Sequence, residues 1–421
     1  MTVAELDGGA VPDITSPAFK ADPWPACAHL RAEQPVVRVP LPSVHVPGGG
    51  QEAYLVTRFE DAAAVLRDER FVKNVRTALA PHELKLPWMP KSLEPLAHNM
   101  LDADGADHRR LRNLVRDTFA PRYIAQLEPR VQAIADELID RMAAAGRADL
   151  VAEYALRLPL TVIAEIMGVP PRDRMRFRRW VSRLFLGANA SRLSVGMLLM
   201  LPSALAMMRF LRRLVAERRA HPRDDLVSRL AGVEEGGDRL AEDELLAMVA
   251  ILLIAGYETT VNLIATGTLL LLSHPDQLSR LRAEPELIAA TVEELLRLAA
   301  PVDVATERYA SEDLEVSGVA IPRGSLVLVA IVSANTDEAH FPEPEQLDVA
   351  RAENRHLAFG MGPHYCLGAP LARLEGRVAL GTLIRRLPHI RLEVPERELR
   401  WRPGLTLRGL KSLPVRLQPP P

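Results

Sequence analysis

The sequence predicts a mainly α protein with a small β-sheet region, and three observations carry that reading. Hydrophobic residues make up 48% of the 421-residue chain but aromatics only 5%, so its apolar content is rich in Leu and Ala, which favour helices over strands. Apolar residues recur at helical spacing in one segment after another. Strand-like runs are short and concentrate at about residues 36–60 and 301–331, while a helical body occupies about 100–300 and 366–387.

In chain order, the stretch Val36 to Phe59 mixes Val, Leu and Pro around a loop of Pro47, Gly48, Gly49 and Gly50, and Tyr54 to Thr57 reads as a strand. Helical patterns follow over Glu60–Asp68, His108–Phe119, Ile124–Ala145, Pro159–Met167, Arg172–Phe185 and Met207–Arg219. Leu245–Ser273 is the strongest apolar stretch and is long enough to raise a membrane-spanning reading. Its middle carries Gly256, Tyr257, Glu258, Thr259, Thr260 and Asn262. A charge at the centre of a bilayer costs about 2.5 kcal/mol or more, so a long helix through a protein core is the better reading. Asp243 and Glu244 suit the positive end of its dipole. Strand patterns return at Leu314–Val316, Leu326–Ile331 and Ile390–Val394. There is no internal repeat and no low-complexity segment, and the length suits one large domain over 1–421 or two intimate lobes.

Lys and Arg total 52 against 54 for Asp and Glu, a net charge of -2, which gives no reason to expect nucleic acid or an anionic membrane as partner. Two cysteines, Cys27 and Cys366, are too few for a disulfide framework, a cysteine-rich zinc site or an iron-sulfur cluster, and they fit a reducing, cytoplasmic setting. The residues up to Lys20 hold Glu5, Asp7 and Asp13 and no basic start followed by an apolar run, so neither export nor a membrane anchor is expected.

The most informative segment runs Phe359, Gly360, Met361, Gly362, Pro363, His364, Tyr365, Cys366, Leu367, Gly368, and then Leu371, Ala372, Arg373. A dinucleotide-binding reading would need a third glycine where Tyr365 stands, and a deaminase-like zinc site would need a Cys-x-x-Cys pair that is missing. The pattern Phe-Gly-x-Gly-x-His-x-Cys-x-Gly resembles the haem-binding loop of the cytochrome P-450 family. That resemblance implies a cytochrome P-450 fold, a long central helix crossing the haem, haem b (iron protoporphyrin IX) as cofactor, and Cys366 as axial ligand to its iron; thiolate ligation is a general property of that family. Physically, a thiolate beside a flat macrocycle needs little bulk around it, and Gly360, Gly362 and Gly368 supply that. The helix beginning near Leu367 would point its positive end at the sulfur, and Phe359 would shield it from water.

Glu294 and Arg297 share one helix face at i and i+3. Alone they read as a surface ion pair, but by resemblance they match the family's Glu-x-x-Arg motif, a structural pair on the haem side of the core. His108 and Arg112, four apart on one helix, match a pair that contacts the haem propionates, as do Arg308 and His364. Each alone is an ordinary solvated or capping residue; together they supply the donors that two carboxylates require.

Ala255, Gly256, Tyr257, Glu258 and Thr259 match the family's small-Gly-x-acid-Thr segment. Cleaving dioxygen requires two protons at one of its oxygens, and the resemblance assigns Thr259 as the hydroxyl and Glu258 as the acid that relays them. A plainer reading stays open, in which Thr259 bonds the carbonyl one turn back and Glu258 meets an arginine. Local widening of the helix near Gly256 would open a groove for oxygen. Two departures from the family pattern are Tyr257, a large residue at its slot, and Thr336, where many relatives carry Arg.

The resemblance implies a monooxygenase that hydroxylates or epoxidises a lipophilic polyketide, terpenoid or steroid-like molecule, drawing electrons from a ferredoxin and its NAD(P)H-dependent reductase, since the chain has no room for a flavin domain. It also implies a pocket lined by Ile254, Ala255, Val304, Ala305 and Leu407, under a mobile lid at Leu193–Phe210 whose Met197, Met200, Met207 and Met208 equally suit an ordinary core helix. A hydrogen-peroxide-dependent peroxygenase and a haem gas sensor are the rival readings; neither needs the Glu258–Thr259 relay.

Overall fold

The computed structural model describes residues 11–41, 52–84, 90–97, 99–188, 193–235 and 237–418; the glycine loop at 47–50 lies outside them. Two short helices, α1 (Pro17–Ala21) and α2 (Trp24–Glu33), lead into strands β1 (Val36–Pro40) and β2 (Glu52–Val56). Then come α3 (Phe59–Arg67), β3 (Phe71–Val72), α4 (Gly105–Arg116), α5 (Glu128–Ala145), α6 (Arg157–Ile166), α7 (Pro171–Ala188), α8 (Leu193–Ala220) and α9 (Glu242–Ser273). After α10 (Pro275–Ala283) and α11 (Ile288–Ala299), β4 (Arg308–Ala310) and β5 (Leu326–Val329) precede the last long helix, α12 (Ala369–Arg386).

One five-stranded sheet has the order β1-β2-β5-β4-β3. β2 runs parallel to β5, with Tyr54 opposite Val327, while β1 and β4 are antiparallel to their neighbours. The mixed sheet thus unites the two β-rich regions that the sequence separates by some 250 residues. A smaller sheet joins Arg391–Leu392, Pro414–Arg416 and Arg147–Asp149.

α9 is the axis of the helical body. Leu245, Leu253, Tyr257 and Ile264 along it are all fully buried in the main core cluster, so this helix, although long and apolar enough to cross a membrane, spends its apolar faces on the interior. It starts three residues before the apolar run because the Glu244 carboxylate accepts the Ala241 N–H and closes the first turn.

Other boundaries shift for equally local reasons. The Ile124–Ala145 pattern splits into a turn at Pro121–Ala125 and α5, because Pro129 has no N–H to give the carbonyl four residues earlier. α8 starts at Leu193, well before the amphipathic part at Met207: residues 193–206 are almost all apolar or small and so show no helical periodicity, and the helix continues through Pro202. The strand at Leu326 ends at Val329, where Ile331–Ala334 turns helical. The expected widening of α9 at Gly256 is not found: α9 is continuous α-helix there, and the wide helical turn occurs at Val151–Ala155 instead.

Glu294 and Arg297 are completely buried and form a bidentate pair, 2.8 Å at each contact. Arg351 and Asn354 also donate to the Glu294 carboxylate, and Arg297 donates to the carbonyls of Asn335 and Pro344. The pair therefore ties α11 to the chain leading into the cysteine loop. Thr336 is buried too, and Arg31 of α2 brings a guanidinium to within 3.3 Å of its hydroxyl.

Because Glu294 would be left charged and buried without its main partner, Arg297→Ala should destabilise the fold by about 3–5 kcal/mol. Denaturant unfolding measures this, and an unchanged midpoint would contradict the role given to the pair.

Candidate active site

The cysteine segment folds back on itself before α12. Gly360 N donates to Leu357 O at 2.8 Å, Tyr365 N to Gly362 O at 3.1 Å and Cys366 N to Phe359 O at 2.9 Å. Gly362 has φ +72°, and a Cβ there would lie 2.6 Å from the Leu66 carbonyl oxygen at the end of α3; only glycine lets the loop pass this close. A Cβ on Gly368 would stand 3.9 Å from the Cys366 sulfur.

Cys366 is exposed, yet enough protein surrounds it that desolvation pushes its thiol pKa up, against the N–H groups of Gly368 and Ala369 and the charges of Arg112 and Arg373. Those N–H groups belong to the start of α12, at Ala369 and not at Leu367. Cys27 lies 1% exposed in the N-terminal apolar cluster, its thiol pushed up to about 12 by burial. Of the two cysteines, Cys366 alone is exposed.

Behind the loop, the Arg373 guanidinium stands 4.5 Å from the Phe359 ring and donates to both Glu293 oxygens at 2.8 Å. Burial would raise the Glu293 pKa, but Arg373 and His356 hold it down to about 2. Phe359 is thus clamped beside the cysteine by a charged pair.

A cleft of about 510 Å³ is lined by His108, Arg112, Arg308, Gly362 and His364 among others. The four basic residues expected to act together do share one wall. The His108 and His364 rings are 4.0 Å apart, and His108 Nε2 is buried without a hydrogen-bond partner. Burial, then the neighbouring His108, Lys73, Arg308 and Arg112, drives the His364 pKa down to about 2. Arg308 falls to about 10, chiefly through burial. Arg112 instead donates to the Tyr365 carbonyl at 2.7 Å, tying α4 to the cysteine loop.

Sequence reasoning missed Lys73. The pairing of β3 with β4 sets Val72 against Tyr309, which carries Lys73 to the level of Arg308. Its ammonium donates to Thr306 Oγ1 at 2.7 Å, and burial lowers its pKa to about 7. Nothing in the sequence near Lys73 marks it; only the strand pairing does.

Desolvated basic groups packed this closely favour anionic partners. The unpartnered His108 nitrogen, the donor set of His108, Arg308 and His364, and a thiol opening into the same region fit a planar metal-holding group with two carboxylates.

On α9, Ala255 is exposed while Ile254 and Thr259 are partly buried. Thr259 Oγ1 donates to the Ala255 carbonyl at 3.2 Å, and Arg402 donates to the Glu258 carboxylate at 2.6 Å. In this structure both residues therefore make the plainer contacts that the sequence left open. Burial raises the Glu258 pKa, with Arg402 opposing it. Arg402, some 140 residues away, carried no sequence signal. Tyr257 is fully buried in the main core, so its bulk does not narrow the cleft.

The remaining expected wall residues divide. Leu407 bridges Val302 in antiparallel fashion and is partly exposed, as is Ala305. Val304 corrects the expectation: it is 1% exposed and belongs to the N-terminal cluster with Val332 and Leu328, because the bonds from Ala305 N to Val329 O and from Val332 N to Asp303 O lay this segment against the end of β5. Met207 and Met208 are fully buried in the main core and Met200 packs against it, which is the ordinary core-helix arrangement; the Met197 side chain lies outside the described residues.

Fold and site together define a haem-thiolate protein. The family model described as Cytochrome P-450 matches residues 42–408, and the chain belongs to that family. It is 44% identical to the cytochrome P-450 monooxygenase PikC of Streptomyces venezuelae, over 94% of this chain and 92% of that one. It is 40% identical to the 6-deoxyerythronolide B hydroxylase of Saccharopolyspora erythraea, over 97% and 99%. Among solved structures it is similar to the bacillaene polyketide synthase cytochrome P-450 PksS of Bacillus subtilis, with TM-score 0.87 and 38% identity over 96% and 99%. The chain is a cytochrome P-450 monooxygenase, with haem b as its cofactor.

With Cys366 as the exposed thiol of the pair, the reduced carbon monoxide complex should show the long-wavelength Soret band of thiolate ligation, and Cys366→His should abolish it. Retention of the band in Cys366→His, with its loss in Cys27→Ser, would overturn the assignment.

Proposed function

We propose that this protein is one haem monooxygenase domain over 1–421, working in the cytoplasm, that hydroxylates or epoxidises a lipophilic polyketide, terpenoid or steroid-like molecule with O2. Its two electrons come from a ferredoxin served by an NAD(P)H-dependent reductase. The observation that carries the site assignment is the exposed Cys366 thiol beside a cleft lined by four basic side chains.

Cys366 would hold the haem iron, and His108, Arg112, Arg308 and His364 its propionates, with Phe359, Gly360 and Gly368 shaping the loop around the sulfur. Bound there, the haem supplies one-electron chemistry and activation of O2. The chain's own task is then to manage protons and water. Burial raises the Glu258 pKa, so its carboxyl takes up a proton more readily than a solvated one. Release from Arg402 and rotation of the side chain would carry that proton toward the cleft, where Thr259 exchanges its bond to the Ala255 carbonyl for one to water. Arg402 thereby acts as the resting partner of the relay.

The apolar residues Ile254, Ala255, Ala305 and Leu407, two of them small, would orient substrate by shape. PikC and the 6-deoxyerythronolide B hydroxylase are a monooxygenase and a hydroxylase by name, which supports oxygen insertion over peroxide use or gas sensing. A peroxygenase would need neither the electron donors nor the Glu258–Thr259 pair.

Thr259→Ala should keep haem binding yet lower the product formed per NAD(P)H consumed with surrogate redox partners, as reducing equivalents escape to hydrogen peroxide; unchanged coupling would remove Thr259 from the proton path. Ala255→Leu should weaken bulky apolar ligands far more than small ones in titrations of the ligand-induced Soret shift, and equal affinities throughout would contradict this picture of the pocket.

A further inference from the structure

Lys20 of α1 is completely buried, and so is Asp303, whose Oδ2 lies 2.5 Å from its ammonium. The same ammonium reaches the Leu405 carbonyl at 3.3 Å. A second buried cation joins them from the other side: Arg408 donates to Lys20 O at 2.7 Å and Ala299 O at 3.0 Å, and its guanidinium packs 4.5 Å from the Trp401 ring. No step of the proposed chemistry uses these charges.

Their position in the chain is what gives them meaning. Asp303 lies on the segment 301–305 and Leu405 on the returning segment 405–409. The two are joined as a narrow ladder: Asp303 N donates to Thr406 O at 3.0 Å, Arg408 N to Pro301 O at 3.2 Å, and Val302 bridges Leu407. On its far edge, Ala305 N donates to Val329 O at 2.9 Å, joining β5. α9 closes on the other end so tightly that a Cβ on Gly409 would stand 2.0 Å from Asn262 Oδ1. The ladder is therefore fixed to the sheet and to α9, and α1 fixes it from behind. Gly404 N, donating to Thr15 O at 3.0 Å, adds a second tie from the same N-terminal segment.

We propose that Lys20 is a positioning residue for substrate selection: by holding Asp303 on one segment and the Leu405 carbonyl on the other, it sets the spacing at which Ala305 and Leu407 line the substrate pocket. This rests on the reading of Ala305 and Leu407 as pocket wall. An ammonium that bonds a carboxylate and a carbonyl at once fixes a distance and a direction, whereas apolar contacts of equal volume fix neither. Replacing a buried ion pair with well-packed apolar residues is often neutral for stability. Stability and spacing can therefore be separated by experiment.

The test compares wild type, Lys20→Met and the double variant Lys20→Met/Asp303→Leu as haem-loaded proteins. Each is titrated by Soret shift with imidazole, which needs only the iron, and with phenylimidazole, whose ring extends toward the wall. The expected result is a double variant with wild-type unfolding midpoint and carbon monoxide spectrum, imidazole affinity within about twofold, and phenylimidazole affinity changed by about fivefold or more. Lys20→Met should change the same ratio, and the double variant keeps the test available should the single one fold poorly. A double variant that binds both azoles as wild type does overturns the inference and leaves the pocket assignment standing. A wild-type protein that shifts with neither azole overturns the haem site and this inference with it.

Discussion

Five basic side chains held out of water beside one thiol set the terms for the rest of this structure. His108, His364, Arg112, Arg308 and Lys73 come from α4, the cysteine loop, β4 and the end of β3. Burial lowers the pKa of each of them, so the fold carries an electrostatic cost there that a dianionic cofactor offsets. Elements far from the cleft are needed to keep the segments converged: the buried Glu294–Arg297 pair behind the loop, the Glu293–Arg373 clamp on Phe359, and the sheet pairing that levels Lys73 with Arg308. Because the polar groups in these braces satisfy one another, the site is preorganised before any cofactor arrives.

The cysteine loop and α9 were the legible parts of the sequence because their chemistry is local. Gly360 and Gly362 adopt positive φ, and Gly362 meets the α3 carbonyl where no side chain fits, so a spacing of glycines around one cysteine is itself a geometric statement. The polar interruption of α9 was visible for the same reason. Arg402, Lys73 and Lys20 were invisible. Each acts through a partner some 140 to 280 residues distant in sequence, and a lone basic residue has no pattern until the sheet and the C-terminal segment are folded.

Val304 and the methionines of α8 show a second kind of limit. Position in a motif predicted that Val304 faces the pocket, but the backbone bonds of Asp303 and Ala305 to the end of β5 and the turn after it set Val304 into the apolar cluster there. Likewise a run of thioethers is compatible with a re-packing lid or with a dense core, and the complete burial of Met207 and Met208 places those two in the core. In the resting structure Glu258 and Thr259 are held by Arg402 and the Ala255 carbonyl, so the proposed relay depends on exchange of those bonds for water, a change of partners that a sequence motif does not express.

The central claim is that the converged basic side chains and the thiol are one cofactor site. The most direct measurement is a crystal structure of the haem-loaded protein. The account predicts Cys366 Sγ bound to the iron and the propionate oxygens within hydrogen-bond distance of His108, Arg112, Arg308 and His364. Propionates directed away from these residues, or an axial ligand other than Cys366, would contradict it.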